Sequence, residues 1–526
     1  MTLRQNHCKP QPSTQTRRQA SGPHPLHFVL LALLFVLSGM VARAETLNVR
    51  MSVVSLNPAR VKIEGEREGA TRAWSFRNIY AGAINLGERI ENLVLTDAGG
   101  AQVAVKKLAS GEYQAVSDAT RFSYEMKLDA PLWESDAAHV SWLTGEDGLF
   151  MLGDLLPLTT NDEKRADSSA VVIFNLPDSW TIASNLHAVS EGRFQVKDVE
   201  RAVFFVGRNL RQKQQRVGAL ELAFVTTGEW AFSDEELMKM AADILKDHAQ
   251  TFGGVPGTSA MLMLAPFPRP AAADHWSAET RGSTVLLLSG KSPSRTAALA
   301  QLSFPLAHEL FHLWIPNGLK LDGDYDWFYE GFTLYQALRA GLRLELLTFQ
   351  DYLNALGRAF DAYKSAREGD KLSLLDASSR RWTTQPALVY NKGMLVAFLY
   401  DLTLRQQSKG KRSLDDVYRE LFRLYQAPGA RKDGNAAVLN ALNGAGEMRE
   451  LTRRYVETAS AIDLASAIAP FGLQVDQIGA KTRVVVSPSL SGAQRDLLRK
   501  FGYNEKTYGV VGHRAGGGQI IYREFD

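Results

Sequence analysis

Apolar residues in this chain change their spacing once, and that change decides the fold class. From Glu45 to about Ala223 they alternate with polar residues in short runs. Leu47–Val53 is such a period-two run, and Asp97–Gly100, Gly145–Gly148 and Asn175–Asp178 read as turns between runs. Alternation of this kind buries one face of a sheet, so residues 45–225 are expected to form an antiparallel β domain. From Ser233 the spacing becomes helical. Ser233-Asp-Glu-Glu236 is a capping box, and Leu237, Met240, Ala241, Ile244 and Leu245 follow on one helix face. Further helices are expected over about 304–315, 326–344, 349–366, 387–407 and 413–426, with short strands at 260–264 and 284–288. The expected fold is α+β and multidomain: the β domain, a mainly α-helical domain over 226–475, and a small appendage over 476–526. A chain of 526 residues is too long for a single core.

The first 44 residues predict a secretory signal peptide. They carry five basic residues and no acidic one, then an apolar run from Phe28 to Val41, then Ala42-Arg43-Ala44 with small residues where a signal peptidase reads. That run is short of the roughly 20 residues a bilayer-spanning helix needs. The mature protein is therefore expected to be exported, periplasmic or secreted, with no stable membrane insertion. Without the leader the formal charge of +3 becomes 55 basic residues against 57 acidic ones. A near-neutral chain gives no reason to expect nucleic acid or an anionic membrane as partner. The only cysteine, Cys8, would leave with the leader, so the mature chain must be stabilised by packing rather than disulfides.

Phe304–Trp314 contains His308-Glu309-x-x-His312. On a helix, positions i and i+4 share a face, so both imidazoles can be aimed at one ion. Zinc accepts imidazole nitrogen at about 2.0–2.1 Å, and a catalytic site keeps one position open for water. Glu309 lies about 100° further round the helix and is placed to accept a proton from that water as general base. Leu306, Ala307, Leu310, Phe311 and Leu313 surround the pair, so the histidines are buried and need a partner. Glu330, within Asp326–Tyr335, is the expected third ligand. A loop with Asn317, Gly318, Gly323 and Asp324 can return the chain, and a carboxylate among Trp327, Phe328 and Phe332 needs a cation. One Zn2+ per chain is expected on His308, His312 and Glu330.

His-Glu-x-x-His-x-Trp followed by Trp-x-x-Glu-Gly-x-Thr-x-Tyr resembles the glycyl aminopeptidase family of gluzincin zinc metallopeptidases, relatives of thermolysin and of the larger zinc aminopeptidases. Tyr390-Asn-Lys-Gly393, Leu399-Tyr-Asp-Leu402, Arg405 and Ser413-Leu-Asp-Asp416 match the next block of that family. Asp147-Gly148 through Gly153–Pro157 resembles its amino-terminal β domain, and the match runs in order over most of 45–475. The resemblance implies a thermolysin-like catalytic domain and a peptide or protein substrate. It also implies that Tyr390 donates a hydrogen bond to the developing oxyanion, a task suited to a phenol that stays protonated. Glu279, in Trp276–Val285, falls on the family's glutamate that binds a substrate's free α-amine. The family has glycine before that position and histidine after it, where this chain has Ser277-Ala278 and Thr280. Ile315 replaces a common asparagine, and the roughly 50 residues after Val475 are too few for the family's usual carboxy-terminal PDZ domain.

His139, His187, His248, His275 and His513 lack ligand spacing and are expected to be structural or surface residues, with His275 near enough to Glu279 to line the cleft. The function expected is an exported zinc metallopeptidase that uses metal-activated water and a glutamate base, acting as an aminopeptidase. A silent peptide-binding relative, an endopeptidase with the same zinc site, and a zinc hydrolase of non-peptide esters or amides are the alternatives.

Overall fold

In the computed structural model, residues 46–158, 168–366, 371–381, 386–444 and 446–504 are described. The expected leader, His513 and the Gly516–Gly518 run lie outside them.

Alternation along the first 200 residues builds a nine-stranded, largely antiparallel sheet. Its central strand, Thr46–Leu56, buries Leu47, Val49 and Met51 while Asn48 and Arg50 face solvent. It pairs antiparallel with Ala59–Ser75 (Met51 opposite Ile63) and parallel with Ser169–Asn175. A second, four-stranded sheet contains Asp147–Met151 and Val203–Gly207, two strands whose residues are all buried. Their continuous apolar runs are explained by position. Phe150, Phe204 and Val206 pack into the core of the large sheet, whereas Leu149, Met151, Val203 and Phe205 pack against Met261, Met263, Leu286 and Leu288 of the helical half.

The third sheet is five-stranded. Leu220–Thr226, Ser259–Pro266 and Thr284–Ser289 run parallel at its centre, with antiparallel edges at Arg211–Val217 and Trp276–Arg281. Residues 211–225, which alternation assigned to the first domain, thus belong to the sheet of the second. A period of two reports a strand but not the sheet it joins.

The helical half follows the expected order with three adjustments. The Ser233 capping box is present, and the Asp234–Phe252 helix ends at Gly253, whose φ of 75° a side chain would resist. The helix carrying His308 begins at Arg295 rather than near 304. Pro305 lies inside this helix, which Ser294 caps. The expected 326–344 helix breaks at Glu330 into Asp326–Tyr329 and Gly331–Arg343. The described part of the expected appendage packs onto this half. Lys481–Val486 lies against the Phe349–Ser365 helix, where Thr482 N–H donates to Asp361 Oδ2 at 2.9 Å. Val484, Leu497, Leu498 and Phe501 enter the same core.

Two glycines bring the site together. The helices Gly331–Arg343 and Gly393–Gln407 pack with backbones touching at Gly331 and Gly393. A Cβ on Gly331 would lie 2.5 Å from Gly393 Cα, and one on Gly393 would lie 2.7 Å from Trp327 O. Glu330 precedes the first glycine, and Tyr390 lies just before the second. Overpacking a backbone contact costs about 1–3 kcal/mol. Gly331→Ala is therefore expected to lower stability by about that amount in urea unfolding. Gly492→Ala, at a helix start with nothing within 4 Å, is expected to stay within about 0.5 kcal/mol of the parent.

Candidate metal centre

The Arg295–Phe311 helix ends one residue before His312, so His308 and His312 sit on its final turn with their rings 4.6 Å apart. His312 Nδ1 lies 2.8 Å from Ile315 O, a contact that assigns the proton to Nδ1 and leaves Nε2 as a ligand. The chain then returns through Gly318 and Gly323 to the helix break at Glu330 (φ −98°, ψ −57°). That break turns the carboxylate onto the histidines. Glu330 Oε2 lies 3.3 Å from His308 Nε2 and 3.4 Å from His312 Nε2, and the two Nε2 atoms are 3.0 Å apart.

These distances fit a tetrahedral ion. Ligand atoms about 2.0–2.1 Å from such an ion stand about 3.3–3.4 Å from one another. Charge points the same way. Glu330 and Asp326 are paired with one guanidinium, Arg381, and Glu309 is buried on the histidine helix. Three carboxylates against one cation leave a double negative charge that a divalent ion would balance. Burial alone would raise the Glu330 carboxyl, but Arg381 and then His312 hold it well below the usual range. For His312, burial opposes the charged form, yet Glu330 lifts its pKa to about 8.

A Glu309 oxygen also lies within 4.8 Å of the histidine nitrogens. Thr280 Oγ1 holds its Oε2 at 2.7 Å and lies 2.8 Å from its carbonyl oxygen. Glu330 Oε2, closer to both histidines, is the better third ligand, and Glu309 remains beside the cluster. Tyr390 stands on a π-helical turn, Leu388–Lys392, a local widening often found at functional sites. Burial raises its phenol well above 10, so it stays a donor.

Arg381 was not singled out by the sequence, and Thr280 only as a departure from the family pattern beside Glu279. Arg381 has no spacing relation to any motif. Thr280 carried a signal in the alternation of Trp276–Arg281: Trp276, Ala278 and Thr280 face the helical core, and Ser277, Glu279 and Arg281 face the β domain.

Glu279 is a paired residue. Oε1 accepts from Arg281 Nε at 2.9 Å and from the Tyr80 hydroxyl, and Oε2 lies 2.8 Å from His139 Nδ1. Its side chain is 13% exposed, and the expected charge for a substrate amine is already matched by Arg281. His139 belongs to this network, and His275 hydrogen-bonds Glu134. His248 is fully buried, with Nε2 2.8 Å from Ala307 O. His187 is exposed.

No family model matches the sequence, and no curated protein matches it. Solved structures do. The aminopeptidase N family protein from Idiomarina loihiensis superposes with a TM-score of 0.70 at 17% identity, over 82% of this chain and 79% of that one. The M1 zinc metallopeptidase from Deinococcus radiodurans gives 0.51 at 14% identity, over 80% of this chain and 94% of that one. A mutant of that enzyme bound to a Tyr-Ser-Ala substrate aligns equally well, over 96% of its length. The chain has the two-part architecture of these proteins, an antiparallel-rich β domain followed by a helical domain.

The Glu279 network makes an acid-dependent contribution to stability. Burial would raise this carboxyl, but Arg281, then His139, hold it at about 2 against an ordinary 4.5. A depressed carboxyl stabilises above its unfolded pKa and loses that contribution as pH falls towards its folded one. Full burial of the advantage would amount to about 3 kcal/mol, about 2 of it lost between pH 4.5 and 3. Glu279→Gln is expected to be less stable than the parent at pH 7, with the gap narrowing by about 2 kcal/mol at pH 3. Urea unfolding at both pH values checks it, and a pH-independent gap would contradict the pairing.

Proposed function

We propose that this chain is an exported zinc-dependent peptidase of the gluzincin class, holding one zinc ion on His308, His312 and Glu330. The observation that carries the reading is the triangle of two Nε2 atoms and one carboxylate oxygen, with edges of 3.0, 3.3 and 3.4 Å. When bound there, zinc lowers the pKa of a coordinated water to about 7 and polarises a carbonyl oxygen. The chain's own residues supply the rest. Glu309, oriented by Thr280, accepts a proton from the attacking water and returns it to the departing amine. Tyr390 donates to the oxygen on which charge develops, in a site where water is largely excluded.

The structurally similar proteins support an aminopeptidase: one is an aminopeptidase N family protein, and another holds a Tyr-Ser-Ala substrate. Pairing of Glu279 with Arg281 favours a second reading, in which the free amine is weakly recognised and internal bonds are also cut.

Elemental analysis of the purified protein is expected to find one zinc per chain, with the metal lost in His312→Ala. Absence of metal from the parent would remove the basis of the proposal.

Turnover is tested on matched free and acetylated peptides, with and without chelator. Glu309→Gln should keep zinc and lose nearly all activity. Tyr390→Phe should keep zinc and lower kcat by roughly 10²–10³-fold. An aminopeptidase should cut acetylated peptides at least about tenfold more slowly, the cost of about 1.5 kcal/mol for a missing charge-assisted contact. Equal cleavage of both would make the enzyme an endopeptidase.

A further inference from the structure

Arg381 lies outside every motif in the sequence and is 8% exposed, beside the candidate ligands. Both of its terminal nitrogens are committed. Nη1 donates to Asp326 Oδ1 at 2.8 Å and to the Tyr329 hydroxyl at 3.2 Å. Nη2 lies 2.9 Å from Glu330 Oε1 and donates to the Tyr390 hydroxyl. Tyr329 in turn donates to the same Asp326 oxygen at 2.5 Å, which closes the far side of the network.

This arrangement does two things at once. Glu330 offers Oε2 to the histidines while Oε1 is held away by the guanidinium, so the carboxylate can give an ion one oxygen and leave a position open. The Tyr390 oxygen accepts from the same nitrogen of Arg381, which fixes the phenol beside Glu330. Resting on the zinc-peptidase reading above, we propose that Arg381 is a positioning residue that couples the third metal ligand to the oxyanion donor. Its planar fork sets the separation of Glu330 and Tyr390. A lysine would carry the charge without that geometry. With both terminal nitrogens occupied by protein groups, Arg381 acts through its neighbours rather than on the substrate.

The test uses the full mature chain and the variants Arg381→Lys and Asp326→Asn, each first compared with the parent by circular dichroism and thermal unfolding. Zinc affinity is measured by competition with a chromophoric chelator, which needs no turnover. Losing a partner that orients a metal ligand costs about 10–100-fold in affinity, and Arg381→Lys is expected to fall in that range. At saturating zinc, its kcat is expected to fall at least tenfold with KM within about twofold. Tyr390→Phe should then cost far less in the Arg381→Lys background than in the parent, because the donor is already misplaced. Asp326→Asn leaves Arg381 in place but loosens its far anchor, and should lower kcat several-fold with zinc still bound. It supplies the answer if Arg381→Lys does not fold. Parent-like zinc affinity and kcat in a folded Arg381→Lys, or in Asp326→Asn if it alone folds, would overturn the proposal. Full additivity with Tyr390→Phe would do the same. A parent that binds zinc but cleaves no peptide would instead sink the peptidase reading, while the affinity comparison still decides the role of Arg381.

Discussion

Glu330 has its two carboxylate oxygens committed to opposite neighbours, and the rest of the site is arranged around that division. One oxygen meets both histidines, and the other meets Arg381. A carboxylate 6% exposed is tolerable only if both oxygens are satisfied, because an unpaired buried charge costs several kcal/mol. Satisfying it requires three chain segments far apart in sequence: the end of the His308 helix, the break at Glu330, and the turn carrying Arg381. The Gly331–Gly393 crossing permits that convergence, since any side chain at either position would push the Glu330 and Tyr390 segments apart.

Charge balance links geometry to chemistry. Three buried carboxylates and one guanidinium leave the pocket negative, so it favours a divalent cation at the one point where two imidazoles also converge. Thr280, from the edge strand, holds the Glu309 carboxylate. The same strand faces two ways. Its even-numbered residues serve the helical core and Glu309, and its odd-numbered residues tie the β domain to the helical half through Ser277, Glu279 and Arg281.

That second face gives Glu279 a place in domain docking. Tyr80 and His139 come from the β domain, Arg281 from the strand itself, and all three converge on one carboxylate. The two halves are joined by this polar cluster and by the fully buried strands Asp147–Met151 and Val203–Gly207, whose two faces belong to different cores.

Much of this was legible in the chain itself. Alternation and helical spacing separate the β and helical regions, because the period of apolar residues follows directly from which face of an element is buried. His308, Glu309 and His312 are legible for the same reason: helix geometry alone puts residues four apart on one face. Glu330 needed its aromatic neighbours as well. The pairing of strands 211–226 within the five-stranded sheet, the passage of a helix through Pro305, and the partners of Glu279 were decided by tertiary contacts. So was Arg381, which reaches the site through contacts 51 to 55 positions away in sequence at Glu330 and Asp326. Local sequence encodes period and spacing. Which buried charge meets which is settled only when distant segments pack, because each charge takes the partner that the assembled core leaves within reach.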